Sequence, residues 1–297
     1  MDLLALLDEP GHRLFVRALL VCVFLGISGG LLGCVLVVRR MTLMVDALAH
    51  SLLPGVALAW LLFGQSVIAL LVGGMTAGLV TALASGLISR LTRVKEDAAF
   101  GGLFAAMFAG GVLLVSRTGA RGDLQHFLFG NVLAIGPSDL VLAASVSVAT
   151  TLTFAVFYRS ILLACFDPTF HLACGGNGMA VHLGLLALTV INLVAALHAI
   201  GVVLALGLFM LPAITAYLWC DRWGTMLVVA AMYGVLGTVG GFFISYHTGL
   251  ASGACMVATL GVGFVLSALL SPRHGLLARW WRPHHHHREE SPEVCEN

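Results

Sequence analysis

Residues 39–55, with the sequence RRMTLMVDALAHSLLPG, place an aspartate and a histidine between two long apolar runs. Asp46 and His50 are four residues apart, so a helix brings both side chains to one face, about one turn apart. A carboxylate at bilayer depth costs about 2.5 to 3.5 kcal/mol on insertion scales. This stretch therefore predicts a membrane helix in which Asp46 has a function.

The composition of the whole chain agrees with that prediction. Of 297 residues, 60% are hydrophobic and only 10% are charged, and the mean hydropathy is +1.02. Soluble domains carry about 25% charged residues, so lipid is the expected solvent. A net charge of +1 without a basic stripe argues against nucleic-acid binding. The seven cysteines are scattered without a C-x-x-C pair, which argues against a structural zinc site or a disulfide framework.

Hydropathy along the chain predicts an all-α, polytopic transmembrane helical bundle of about nine spans, with eight or ten as alternatives. The predicted spans are 14–38, 42–63, 67–89, 98–116, 132–158, two within 179–218, 225–244 and 255–270. Gly26 with Gly30 and Gly29 with Gly33 form small-xxx-small pairs, which indicate close helix packing in the first span. Pro54 and Gly55 are expected to break the second span, because proline removes a backbone donor.

The predicted spans divide the chain into three parts. Residues 1–13 form an interfacial lead-in, 14–272 the transmembrane domain, and 273–297 a soluble cytoplasmic tail. Lysine and arginine in short loops, such as Arg39 and Arg40, favour the cytoplasm on their side of the membrane. Between Arg159 and Gly178 the pattern predicts a non-spanning block with one short surface helix, since Pro168 follows Asp167 at a suitable first helical turn.

The Asp46–His50 pair suits a divalent transition metal. A carboxylate oxygen and an imidazole nitrogen fit Mn(II), Fe(II) or Zn(II) and are poor ligands for Cu(I). Two ligands are too few, so others must come from elsewhere. The candidates are His198, where two spans meet, and His247, in a predicted short loop. A hydrogen-bonded structural role is the alternative for each. The run His284–His287 is interpreted as a native tail with weak metal affinity.

Three functions are compatible with an intramembrane Asp–His pair. The first is metal permeation, in which the pair holds the ion transiently. The second is a proton-coupled secondary transporter that uses Asp46 as a proton relay. The third is an intramembrane metalloenzyme with Asp46 and His50 as two zinc ligands. The sequence contains no HExxH, G-x-S-x-G or P-loop motif, so hydrolytic chemistry, including ATP hydrolysis, has no support within this chain.

Five segments, in order, resemble one known family: the permease subunits of ATP-binding cassette (ABC) transporters that import manganese, zinc or iron. They are VVRRMTLMVDALAHSLLPGVALAWLL, VKEDAAFGGLFAAMFAGGVLL, DLQHFLFGNVLAI, ACFDPTFHLACGGNG and HAIGVVLALGLFMLPAITAYL. The chain departs from the family pattern at Gly175–Asn177, where a leucine-proline often follows the coupling glycine, and at Ala251–Gly253, where a proline is frequent.

This resemblance implies a type II ABC importer-like fold in the bacterial cytoplasmic (inner) membrane. It implies that the chain is a transport subunit and not an enzyme, with no permanently bound cofactor and with ATP on a partner. The implied partners are cytoplasmic ATPases, an extracytoplasmic metal-binding protein, and a second permease that is either a copy or a paralogue. It also implies metal coordination by Asp46 and His50, and a coupling loop at about 165–177 that docks on the ATPase. The coupling residues are Asp167, Pro168, Thr169, Phe170 and Gly175.

Overall fold

The computed structural model describes residues 10–64, 66–118 and 136–271, and over these residues the chain is helical without strands. The helices are α1 (Pro10–Val38), α2 (Thr42–Ser51), α3 (Leu53–Phe63), α4 (Val67–Leu91), α5 (Glu96–Thr118), α6 (Pro137–Val156), α7 (Tyr158–Phe166), α8 (Pro168–Ala173), α9 (Gly178–Ile200), α10 (Val202–Trp219), α11 (Trp223–Thr248) and α12 (Ser252–Leu270). The predicted all-α bundle is confirmed.

Eight stretches of the described chain are long and apolar enough to cross a membrane, and α2 with α3 forms one of them. The ninth predicted span corresponds to α10, which carries a shorter apolar stretch, Leu204–Trp219. All nine predicted segments are therefore helical where they are described, and eight of them reach spanning length. The fifth begins at Pro137 within the described residues.

The first helix is the packing centre of the bundle, as its glycines predict. α1 lies against α6, α10 and α11. A Cβ atom at Gly30 would lie 2.7 Å from the Ala230 carbonyl oxygen of α11, and one at Gly29 would lie 2.9 Å from Leu208 Cγ of α10. The two glycine pairs thus allow the close approach of two different helices, α11 and α10, because small residues let helix backbones approach closely.

Two helix breaks lie at membrane depth, and both follow from the local sequence. The predicted break in the second span falls at Leu52, since Pro54 takes the first turn of α3, where a missing N–H costs nothing. Gly201 separates α9 from α10 with a φ of +86°, a conformation that favours glycine. The breaks place His50 in the last turn of α2 and His198 in the last turn of α9.

Two predicted boundaries are wrong. Residues 159–166 were expected to be loop but belong to α7, because Ile161 and Ala164 are buried against the bundle and stabilise a helix there. The eighth span was expected to end near Ile244, yet α11 continues to Thr248, where Gly249 ends it in the left-handed conformation. His247 is therefore helical, and the loop to α12 is short.

Three predicted regions lie wholly or mostly outside the described residues. They are the interfacial lead-in before Pro10, the polar loop with the start of the fifth span at 119–135, and the tail that contains His284–His287.

Alanine substitutions at two glycines should change the free energy of unfolding in opposite directions, because only one of the two lies at the close contact of α1 with α11. Gly30→Ala should lower the free energy of unfolding by about 1 to 3 kcal/mol, because the new methyl group overlaps the Ala230 carbonyl. Gly261→Ala, on α12 with open space around its Cβ position, should raise it by up to about 1 kcal/mol through helix propensity. Thermal unfolding of the purified protein in detergent measures both, and equal effects would contradict the packing described.

Candidate functional site

The Asp46–His50 pair forms as the spacing predicts. His50 Nε2 lies 3.6 Å from Asp46 Oδ1 on α2, and the two side chains are 31% and 54% exposed, respectively. A divalent ion bound by a nitrogen and an oxygen at about 2.0 to 2.2 Å separates its ligands by a similar distance. The two side chains are therefore close enough to share one ion.

Aromatic side chains of α5 surround the imidazole of His50. The ring centroids of Phe104 and Phe108 lie 5.8 and 5.7 Å from that of His50, and the Phe108 ring is nearly perpendicular to it. Contacts of this kind fix the plane of an imidazole without using its nitrogens. The ring nitrogens of His50 remain available for Asp46 and for a ligand.

A small cavity lies beside this pair and is bounded by three spans. Its volume is about 20 Å³, room for about one water-sized species. His50 and Leu52 line it from α2 and the following break, Gly74 from α4, and Val194 and His198 from α9. The structure thus brings together two of the predicted metal residues, His50 and His198, around one cavity.

An aspartate that the sequence analysis did not select lies behind His198. Asp139 Oδ1 is 3.3 Å from His198 Nε2, and the two side chains are only 17% and 19% exposed. Asp139 lies in the first turn of α6, where its Oδ2 accepts a 2.8 Å hydrogen bond from the Gly136 N–H. In sequence it is a helix-capping residue, and only the packing of α6 on α9 shows its second contact.

The structure does not bring His247 to this cavity. It lies exposed in the last turn of α11, and its ring contacts Tyr246 at 5.7 Å. α11 packs mainly against α1, α10 and α12. A metal role for His247 stays a prediction. Within the described ranges, no three His, Cys, Asp or Glu residues converge closely enough to hold an ion by themselves.

At the opposite end of α9, Arg39 joins three helices. Its Nη1 lies 2.9 Å from His182 Nδ1 of α9, and its Nη2 donates to the Ala164 carbonyl of α7 at 3.2 Å. Arg39 directly follows α1 and precedes the turn into α2. The arginine therefore ties the start of the Asp46 helix to the chain that leads into α8.

The short helix α8 has a fixed start and an exposed apolar side chain. Asp167 Oδ1 accepts hydrogen bonds from the Thr169 hydroxyl at 2.6 Å and from the Phe170 N–H at 2.9 Å. These two bonds, the hydroxyl first, hold the pKa of Asp167 below its usual range. The cap therefore persists at neutral pH and is lost only as the pH falls through that lowered pKa. Phe170 is 53% exposed, and Gly175 closes the segment with a φ of +78°.

Known proteins resemble this chain over nearly its whole length. The profile of the ABC 3 transport family matches residues 11–271. A manganese transport system membrane protein, MntC, of Halalkalibacterium halodurans is 40% identical over 269 residues, which cover 90% of each chain. A chelated iron transport system membrane protein, YfeD, of Yersinia pestis is 35% identical over 268 residues, 90% of this chain and 89% of the relative.

Solved structures agree with the sequence relatives. PsaBC from Streptococcus pneumoniae, determined in complex with an Fab, superposes with a TM-score of 0.80 at 30% identity, covering 93% of this chain and 97% of that one. An inward-facing putative metal-chelate type ABC transporter has a TM-score of 0.68 at 16% identity over 90% of each chain, which shows a shared fold. The chain belongs to the ABC 3 transport family and is a transport permease subunit, not an enzyme.

Proposed function

We propose that this permease carries Mn(II), Fe(II) or Zn(II) inward across the bacterial inner membrane by alternating access. The observation that carries the proposal is the Asp46–His50 pair on a membrane helix beside a cavity of about 20 Å³. Relatives named for manganese and for chelated iron support this metal class. The three ions accept the same nitrogen and oxygen ligands, so geometry and supply decide between them.

The small number of ligands suits transport. Permeation requires a site strong enough to admit the ion and weak enough to release it. Asp46 supplies the negative charge, His50 supplies a nitrogen, and His198 lines the same cavity as His50. Asp46 and His50 are therefore the primary ligands, and His198 is a further one. No permanently bound cofactor is needed.

A second permease, identical or paralogous, accounts for the exposure of Asp46. More than half of this side chain is uncovered on a helix at membrane depth, where a carboxylate that faces lipid is costly. The neighbouring α5 is also the least buried spanning helix of the described chain. Pairing two permeases along this face would cover α5 and place Asp46 beside a central pathway instead of lipid.

The energy of ATP hydrolysis on the partner subunit is proposed to reach this permease through α8. A cytoplasmic ATPase that binds the exposed Phe170 would move α8. The start of this helix is fixed by the hydrogen bonds that Asp167 accepts, including one from Thr169. Pro168 and Gly175 set the bounds of this coupling segment. Arg39 connects the preceding helix α7 to the beginning of α2. Motion of the coupling segment can therefore be transmitted through Arg39 to the helix that carries Asp46. An extracytoplasmic metal-binding protein is proposed to deliver the ion from the opposite side of the membrane.

Removing the carboxylate tests the transport role. Asp46→Ala should lower metal uptake at least about tenfold, since losing 1.4 kcal/mol of ion binding already costs a factor of ten. Uptake of Mn, Fe and Zn is measured in cells that lack their own importers and express the permease with its ATPase. Ser51→Ala is the matched control, because its hydroxyl donates to the Leu48 carbonyl of the same helix and is not offered to an ion.

Two outcomes would contradict the proposal. Normal uptake by Asp46→Ala would remove the carboxylate from the pathway. Uptake that continues with an ATPase unable to hydrolyse ATP would favour a proton-coupled secondary transporter.

The capped start of α8 gives a separate test of energy coupling. Asp167→Ala should lower ATP-driven uptake several-fold and leave Mn(II) binding to the purified permease unchanged, because the N-cap orders the start of α8 and is remote from the proposed metal ligands. Asp167→Asn, which caps equally well, should retain uptake. Equal losses in both variants would show that the charge, and not the cap, is what the partner requires.

A further inference from the structure

A second Asp–His pair, Asp139 with His198, lies beside the cavity that His50 lines. His198 shares the cavity with His50, whereas Asp139 contacts His198 without lining the cavity. His198 is therefore the member of this pair that borders the cavity. A histidine that binds a metal almost always donates its other ring N–H to a carboxylate, a carbonyl or water.

The carboxylate of Asp139 is held in place by its own helix. Oδ2 accepts from the Gly136 N–H at 2.8 Å, and Oδ1 receives the Ser138 hydroxyl at 3.3 Å in addition to its contact with His198. A carboxylate anchored in this way has little freedom to turn toward an ion. It is well placed to orient a neighbouring imidazole, because its position is fixed before any ion arrives.

We propose that Asp139 is a positioning residue for the transported metal, acting through His198. Because its Oδ1 lies 3.3 Å from Nε2, Asp139 favours the tautomer of His198 that carries the proton on Nε2 and leaves Nδ1 able to bind the ion. His198 then offers, from α9, a further nitrogen to an ion held by Asp46 and His50 on α2, although the three side chains do not converge on one point in the described conformation. This inference rests on the proposed metal pathway and adds to it a residue that controls one ligand without touching the ion.

The position of the Asp139–His198 pair also indicates the order in which an inward-moving ion meets its ligands. His198 lies in the last turn of α9, sixteen residues beyond His182, which Arg39 contacts at the opposite end of the same helix. At 1.5 Å per residue this separation is about 24 Å, most of the hydrocarbon thickness. Asp139 and His198 therefore stand at the end of the pathway remote from α8, and an ion entering there reaches His198 before Asp46.

Mn(II) binding to the purified permease–ATPase complex, measured by titration calorimetry, tests the positioning role. Asp139→Asn should weaken Mn(II) binding about 10- to 100-fold, the range found when an outer carboxylate partner of a ligating histidine is removed. An asparagine amide that donates to Nε2 would force the proton onto Nδ1 and block it as a ligand. Ser138→Ala is the matched control, since it leaves the carboxylate and its contact with His198 in place.

A double-mutant cycle separates positioning from a structural role. In a His198→Ala background, Asp139→Asn should change Mn(II) affinity less than about twofold, because the residue through which it acts is gone. An undiminished loss in that background, or wild-type affinity in Asp139→Asn alone, would overturn the proposal. His198→Gln leaves Asp139 intact and covers the case in which Asp139→Asn fails to fold. It should lose at least tenfold in affinity, and wild-type affinity would also overturn the proposal.

Asp46→Ala in the same titration distinguishes the two levels of inference. If Asp46→Ala loses Mn(II) binding while Asp139→Asn binds Mn(II) normally, only the positioning role of Asp139 is contradicted. Normal binding in Asp46→Ala would contradict the proposed pathway itself.

Discussion

The cost of an ionisable side chain in an apolar medium organises this molecule. A bundle with so few charges keeps a carboxylate within a span at a cost, and two of the carboxylates in the described spans, Asp46 and Asp139, lie beside a histidine. Asp46 meets His50 within one helix, and Asp139 meets His198 across two. Helix breaks at Leu52 and Gly201 lie close in sequence to the two histidines, and the break at Leu52 borders the cavity that both histidines line.

The packing of the remaining helices positions the Asp46–His50 and Asp139–His198 pairs. The glycines of α1 allow α10 and α11 to pack closely on it, so the bundle has a rigid centre away from the cavity. The α2–α3 span and α5 are less buried and carry the exposed Asp46. Arg39 links that less buried part to α7 and α9 at one membrane surface. A closely packed centre beside a less buried face is the arrangement that the proposed alternating access requires.

The sequence predicted much of this because the relevant signals are local. The i, i+4 spacing of Asp46 and His50, the small-residue pairs of α1 and the proline after Asp167 each act within one helix or one turn. The contact of Asp139 with His198 was not predictable in this way, since it depends on how α6 packs against α9. In sequence, Asp139 is fully explained as a cap on its own helix. The helix α7 was also missed, because its stability comes from burial of Ile161 and Ala164 and not from strong start and stop signals.

The proposed function depends on Asp46 and His50 holding the transported ion. An anomalous-scattering map of the permease complex soaked with Zn(II) tests it most directly, because it locates the metal without relying on activity. We expect a peak about 2.0 to 2.2 Å from an Asp46 oxygen and a His50 nitrogen, beside the cavity that His198 also lines. A fully occupied ion elsewhere in the membrane domain, with Asp46 and His50 unliganded, would contradict it.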